Sequence, residues 1–193
     1  MTFSAVLLAG GESRRMGRDK AAVGFRGKPL WQRQLQILQD LRPAKIFISI
    51  RSEPSWQPRE TELLFDAPPS RGPLSGLTRA LARMQTSHLI ALAVDMPFMT
   101  SEQLRFLCSL ALAGRGVVPM IDERAEPLAA IYPREAAVNF DAALAGRDFS
   151  LQALARKLAQ AGRVRMVAVA EEERDLYRSV NKPNDLLAGD AQE

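Results

Sequence analysis

Cysteine and histidine each occur only once, at Cys108 and His88. A lone cysteine excludes an internal disulfide framework and any cysteine-rich metal centre, and a reducing compartment is the default. Without a readable Ser/His/Asp set or an activated cysteine, covalent catalysis has no support. Cys108 lies in an apolar helical pattern and reads as core. His88 starts a strand, has no partner pattern and reads as a surface residue. Aromatic residues make up only 6% of the chain. They are not interleaved with the basic residues as in single-strand binders, so the net charge of +4 is not expected to serve nucleic acid. No apolar run reaches the roughly 18 residues of a membrane span. The first residues enter a strand at once and show no secretory cleavage pattern, so a cytoplasmic location without membrane attachment is expected.

What is present looks like an average globular composition, with 47% apolar and 25% charged residues in a chain of 193. That length suits one domain, 1–193, with a full core. Apolar runs alternate with amphipathic segments. Residues 3–9, 45–50, 63–66 and 88–94 read as strands, the first and last apolar enough to be buried on both faces. Helices are expected over 30–41, 101–113, 134–145 and 150–161; residues 67–76 read as a turn-rich segment that neither helix nor strand can use, and Leu74, Leu77, Leu81 and Met84 recur at helical spacing beside it. Residues 116–121, 127–132 and 164–169 read as further strands, 171–175 as a solvated acidic turn, and 183–188 as a final helical turn with Pro183 at a favoured first position. The fold class expected is α/β, a Rossmann-like, mostly parallel sheet with helices on both faces. In such sheets ligands sit outside the carboxyl ends of the strands. Every unusual loop follows such an end: Gly10 to Lys20, Asp66 to Gly76, and Asp95-Met96-Pro97.

The first of these loops, in 6-VLLAGGESRRMGRDK-20, carries Gly10 and Gly11 and then Arg14, Arg15, Arg18 and Lys20. Glycines let backbone N–H groups approach a ligand closely, and successive N–H groups form an anion-binding concavity. Arginine forks and a lysine point charge suit phosphate oxygens. The combination describes a cradle for a pyrophosphate or triphosphate. Neither the dinucleotide pattern G-x-G-x-x-G nor the ATPase pattern G-x-x-x-x-G-K-[ST] fits the spacing. A polyphosphate calls for a divalent cation, and magnesium takes one or two carboxylates plus phosphate oxygens and waters. Asp95 is the favoured metal ligand, because it emerges from a buried strand and the next helix has its own cap in Thr100 or Ser101; a helix-capping role is the alternative. Asp66 reads equally as a turn starter or a ligand. Asn181 reads as a cap of the last helical turn or a substrate contact.

The segments LAGGESRRMGRDK, GPLSGL, VDMPF, EPLAAIYP and SVNKPNDL, in that order along nearly the whole chain, resemble the molybdenum cofactor guanylyltransferases, the MobA-type nucleotidyltransferases. The resemblance implies transfer of GMP from GTP to molybdopterin, molybdenum-loaded or not, with release of pyrophosphate. It implies a nucleotide-binding half at about 1–100 and an acceptor-binding half at about 101–193. Leu8, Ala9, Gly10 and Gly11 would contact the nucleotide, with Ser49 and Asp66; Lys20 and Arg15 would hold phosphates; Asp95 would bind Mg2+. Glu126, Pro127 and Asn181 would line the acceptor side, and cofactor-delivery proteins are implied as partners. Catalytic work falls to Arg15, Lys20 and Asp95, with Arg14 and Arg18 as helpers. The chain departs from the family's usual pattern in having Ser49 where asparagine is common, and Ser179-Val180-Asn181-Lys182 where the family often reads N-x-N-T. The family's cytidylyltransferase relatives tend to start TAAG, so Leu8-Ala9-Gly10-Gly11 favours guanine. The alternatives are a different donor or acceptor, or a nucleotide-binding partner that performs no chemistry.

Overall fold

The computed structural model describes residues 1–10, 20–56, 58, 61–66 and 68–180. Its central element is an eight-stranded sheet. The strands are β1 (Phe3–Leu8), β4 (Ile46–Ile50), β5 (Glu62–Phe65), β6 (His88–Ala93), β7 (Gly116–Ile121), β8 (Arg124–Ala125), β9 (Ala129–Pro133) and β10 (Val164–Ala168). Their order is β10-β7-β9-β6-β1-β4-β5, with β8 pairing β7. β6, β1, β4 and β5 are mutually parallel, as are β10 and β7. The departures from a wholly parallel sheet are β9, antiparallel to both β6 and β7, and the short β8, antiparallel to β7. A small hairpin, β2 (Gly24–Phe25) and β3 (Lys28–Pro29), precedes the first helix. Its turn residues Arg26 and Gly27 both have positive φ, 47° and 75°, the combination a two-residue hairpin turn of the primed type requires.

The run 3-FSAVLL-8 makes a central strand because each of its faces meets its own helical layer. Ala5 and Leu7 join the core with Ile46, Ile48, Ile90 and Leu92. Val6 and Leu8 join Phe47, Leu89 and Ala91 on the other face. The first layer is supplied by α1 (Leu30–Asp40) and α3 (Ser101–Leu110), through Leu30, Leu35, Leu38, Leu104 and Leu107. The second is supplied by α2 (Pro73–Arg83), α4 (Ala137–Ala145) and α5 (Leu151–Gln160), through Leu74, Leu77, Leu81, Phe140, Leu154 and Leu158. Thr100 caps α3 by accepting from Gln103 N at 3.2 Å, and Ser150 caps α5 by accepting from Ala153 N at 3.3 Å.

Five expectations shift. The turn-rich segment 67–76, expected to hold no helix, gives its last four residues to α2, because Pro73 suits a first helical position. The helix expected over 101–113 ends at Leu110. The segment expected as a helix over 134–145 opens with a 3-10 turn, Arg134–Ala136. The acidic stretch 171–175 is a 3-10 helix, Glu171–Tyr177. His88, expected at the surface, is fully buried: its ring nitrogens lie 3.0 Å from Ser87 Oγ and 3.0 Å from the Leu112 carbonyl. Its place as the first residue of a strand sandwiched between β1 and β9 overrides its polarity. Cys108 is half-buried against the first core layer, and burial pushes its thiol up to about 12. No helix among the described residues is long and apolar enough to cross a membrane.

Candidate nucleotide and metal site

The carboxyl ends of β1, β4, β5 and β6 open onto one cavity of about 240 Å³. Its lining includes Leu8, Ala9 and Gly10 from the end of β1, Ser49 from β4, Asp66 just past β5, and Asp95 just past β6, with Lys20 facing them. Parallel register places these residues together: Leu8 stands opposite Ser49 on one side and Ala93 on the other. Ala9 N–H donates to the Ser49 carbonyl at 2.9 Å, and Val94 N–H to the Leu8 carbonyl at 3.1 Å. The sheet ladder therefore runs right up to the cavity wall. Gly10 N–H is the first amide beyond it, with no bonding partner among the described residues.

Lys20 Nζ and Asp95 Oδ2 approach to 2.7 Å across the cavity, with side chains 14% and 24% exposed. The other Asp95 oxygen has no protein partner among the described residues. The turn that carries Asp95 is held from three sides. Gln34 Nε2 donates to the Met96 carbonyl and Arg33 Nε to the Pro97 carbonyl, both at 2.6 Å. Val180 N–H donates to the Asp95 carbonyl at 2.8 Å. Because Thr100 is the cap of α3, Asp95 is not needed for that task and its carboxylate is left to the cavity.

On the opposite wall, Ser49 Oγ donates to Asp66 Oδ1 at 3.2 Å and Ser70 Oγ to Asp66 Oδ2 at 2.8 Å. Ser70 Oγ also accepts from Gly72 N–H at 3.2 Å. Gly72 has φ +63° and precedes Pro73 at the start of α2, and both line the cavity. That helix start adds the positive end of its dipole to the wall. A second glycine explains the close approach of α2 to β4. A Cβ on Gly76 would overlap Ser49 Oγ and stand 2.8 Å from Ser49 Cβ.

The donor set suits a cation carried in by phosphate oxygens. Among the described residues no group of three or more His, Cys, Asp or Glu forms a metal cage. A single carboxylate with one open oxygen is what magnesium uses when phosphates and waters complete its octahedron.

Seven residues expected from the sequence meet in this cavity: Leu8, Ala9, Gly10, Lys20, Ser49, Asp66 and Asp95. Gly11, Arg14, Arg15, Arg18 and Asn181 lie outside the described residues, as does the helical turn expected over 183–188. Glu126 and Pro127 do not line the cavity but precede Leu128, which does. Their segment reaches the same rim because β9 runs antiparallel, and Ala93 N–H donates to the Leu128 carbonyl at 2.8 Å. Burial raises the Glu126 carboxyl above its ordinary range. Pro127 is fixed through its carbonyl, which accepts from the Tyr132 hydroxyl at 2.7 Å. The sequence reading missed Ser70 and Leu128. A serine between Pro69 and the GPLSG turn was a usable signal for the first; nothing local marks the second.

A family model described as the MobA-like NTP transferase domain matches residues 5–164. A protein of Opitutus terrae named "Probable molybdenum cofactor guanylyltransferase" is 36% identical over 186 residues, which is 95% of this chain and 92% of that protein. Among solved structures, molybdopterin-guanine dinucleotide biosynthesis protein A from Archaeoglobus fulgidus superposes with a TM-score of 0.75 at 23% identity, covering 97% of this chain and 96% of that one. A nucleotidyl transferase from Methanothermobacter superposes with a TM-score of 0.78 at 14% identity, covering 97% and 95%. These two likenesses establish a shared fold.

Proposed function

The chain belongs to the MobA-like NTP transferase family, and from that premise we propose that it transfers GMP from GTP to molybdopterin, forming the guanine dinucleotide of the molybdenum cofactor and releasing pyrophosphate. The observation that carries the proposal is the convergence of Lys20, Asp66 and Asp95 on one cavity at the strand ends. The base lies toward Ser49 and Asp66. There the Asp66 carboxylate, an acceptor held by two serine hydroxyls, meets the N–H donors that guanine carries on its pairing edge. The triphosphate runs toward Gly10 N–H and Lys20, continued by Gly11 and Arg15.

Nucleotide entry separates the Lys20–Asp95 ion pair. Lys20 turns to the phosphate oxygens and Asp95 is released to hold Mg2+. Asp95 would hold the cation, and the chemistry it would supply is neutralisation of negative charge developing on the phosphates. Lys20 and Arg15 stabilise the departing pyrophosphate. The acceptor's phosphate is already ionised near neutral pH and attacks the α-phosphorus in line, so no side chain has to remove a proton. The protein's contribution is positioning and fixed electrostatics. Glu126, Pro127 and Asn181 border the acceptor, whether it is molybdenum-loaded or metal-free. The work is assigned to the cytoplasm, with cofactor-delivery proteins as partners.

The test is product formation by the purified chain with Mg2+, molybdopterin and, in parallel, GTP, CTP or ATP. Pyrophosphate release that requires molybdopterin and prefers GTP is expected. Release that prefers CTP, or no release with any donor, would overturn the assignment.

A further inference from the structure

Beside the turn that carries Asp95, three arginines gather on two phenyl rings. Phe25 and Phe98 meet edge to face, with centroids 5.3 Å apart and planes at 83°. Arg26 and Arg33 place their guanidinium carbons 5.5 Å and 5.7 Å from the Phe25 centroid, and Arg178 lies 4.2 Å from that of Phe98. They come from three separate segments: the β2–β3 turn, α1, and the stretch after the last 3-10 helix. The rings seat these cations without neutralising them. Among the described residues neither Arg33 nor Arg178 has a carboxylate partner. Arg33 bears the cost of the crowding. Partial burial, and after it the charge of Arg26, hold its guanidinium below the ordinary arginine range. Its Nε is committed to the Pro97 carbonyl, which leaves the terminal amino groups for an outside acceptor.

The cluster is close to the transfer centre but outside the nucleotide cavity. Pro97 follows Asp95 by two residues, a span of at most about 7 Å. The Val180 N–H bond to the Asp95 carbonyl brings the segment after Arg178 to the same turn. None of the three arginines lines the cavity where the nucleotide is placed. An anion held here would lie alongside the nucleotide, as the second substrate of an in-line transfer must.

We propose that Arg26, Arg33 and Arg178, set around the Phe25–Phe98 pair, form the subsite for a phosphate monoester dianion, the attacking phosphate of the acceptor. This rests on the reading that the site transfers a nucleotidyl group to a phosphate. Guanidinium forks match the oxygens of such a group, and the partial burial of Arg33 strengthens its contact. The same chemistry is offered by the outer phosphates of GTP, so the test has to separate the two sources.

The test uses the full chain and two variants. Arg26→Gln/Arg178→Gln removes two exposed cations and leaves the Arg33–Pro97 bond in place; Arg33→Lys keeps the charge and loses the fork. The first readout is calorimetric binding of phenyl phosphate, with Mg2+ and a non-hydrolysable GTP analogue present. The second is the KM for molybdopterin and for GTP, with thermal unfolding as a check on folding. Affinity for phenyl phosphate is expected to fall about tenfold or more in both variants, as befits loss of hydrogen bonds to a charged group. The molybdopterin KM should rise to match, with the GTP KM unchanged. A rise in the GTP KM instead would give the cluster to the triphosphate and overturn the assignment. Equal phenyl phosphate binding by wild type and the double variant, or none by the wild type, would overturn the subsite altogether. Wild-type binding of phenyl phosphate that the variants lose, without any product from molybdopterin, would support the subsite while refuting the proposed acceptor.

Discussion

At the amino-terminal end of β1 and β6, Thr2 and Ser87 exchange three hydrogen bonds of 2.9 to 3.1 Å. Thr86 Oγ1 donates to Ser4 Oγ at 2.9 Å, His88 sits between Ser87 and Leu112, and Arg134 reaches the carbonyls of Thr86 and Met84. At the carboxyl end of the same strands, Lys20, Asp66 and Asp95 face a cavity instead. Both ends are polar and both are well tied to the backbone. They differ in where the polar atoms lead. One network closes on the protein and holds strands together; the other leaves an oxygen of Asp95 and the amide of Gly10 to a ligand. Polarity alone therefore does not mark a site, but polarity that stays open beside a cavity does.

The sharpest way to break this contrast is at Asp95. Asp95→Ala should lower turnover by about a hundredfold or more, about 2.7 kcal/mol, while leaving the midpoint of thermal unfolding nearly unchanged. Steady-state kinetics beside a melting curve checks both halves, and a near-wild-type rate would remove Asp95 from the chemistry. Gly76→Ala comes next. Replacing a helical glycine by alanine ordinarily stabilises a helix by up to ~1 kcal/mol. Here the added methyl overlaps Ser49 Oγ and stands 3.0 Å from Leu8 Cδ2, so the sign should reverse to a loss of about 1–3 kcal/mol. The nucleotide KM should rise with it, because Ser49 and Leu8 line the cavity. Adding Ser49→Gly should recover part of the loss, a coupling that a double-mutant cycle measures.

The closed end should respond the other way round. Ser87→Ala removes the hydroxyl that bonds Thr2 and should cost about 1 kcal/mol, roughly 2–4 °C in melting temperature for a chain of this size. Turnover below the melting range should not change. A fall in turnover without a fall in stability would erase the distinction between the ends. The smallest effect expected is a slope with pH. Cys108 and Tyr177 are both pushed up to about 12, chiefly by burial. An acid whose folded value is raised contributes stability fully below its unfolded value, roughly 8.5 for a thiol and 10 for a phenol. That contribution is lost as pH rises toward the folded value. Denaturant unfolding at pH 7, 9 and 10.5 should show a declining stability, and reagents that alkylate thiolates should react slowly with Cys108 near pH 8.

The sequence made one end of the molecule far easier to read than the other. Strand-end loops announce themselves by local chemistry: Gly10 against a buried strand, Asp66 before Pro68 and Pro69, and Asp95 before Pro97. Parallel register then brings them together without further information, which is why seven expected residues share a cavity. The cap at Thr100 was equally local. What stayed hidden depends on contacts distant in sequence. Leu128 reaches the rim because β9 inserts antiparallel between β6 and β7, and an apolar run carries no record of direction. His88 is buried by β1 and β9, neither of them its neighbour in sequence. Gln34, fully buried, breaks the apolar face of α1 to hold the Met96 carbonyl. Its purpose appears only once the Asp95 turn is placed against that helix.

The most direct measurement is a crystal structure of the chain with a non-hydrolysable GTP analogue and Mg2+. The expected density places the base by Ser49 and Asp66, the phosphates by Gly10 and Lys20, and the cation on Asp95, with Lys20 and Asp95 drawn apart from their 2.7 Å contact. Nucleotide bound elsewhere on the surface, with the Lys20–Asp95 pair intact, would contradict the account.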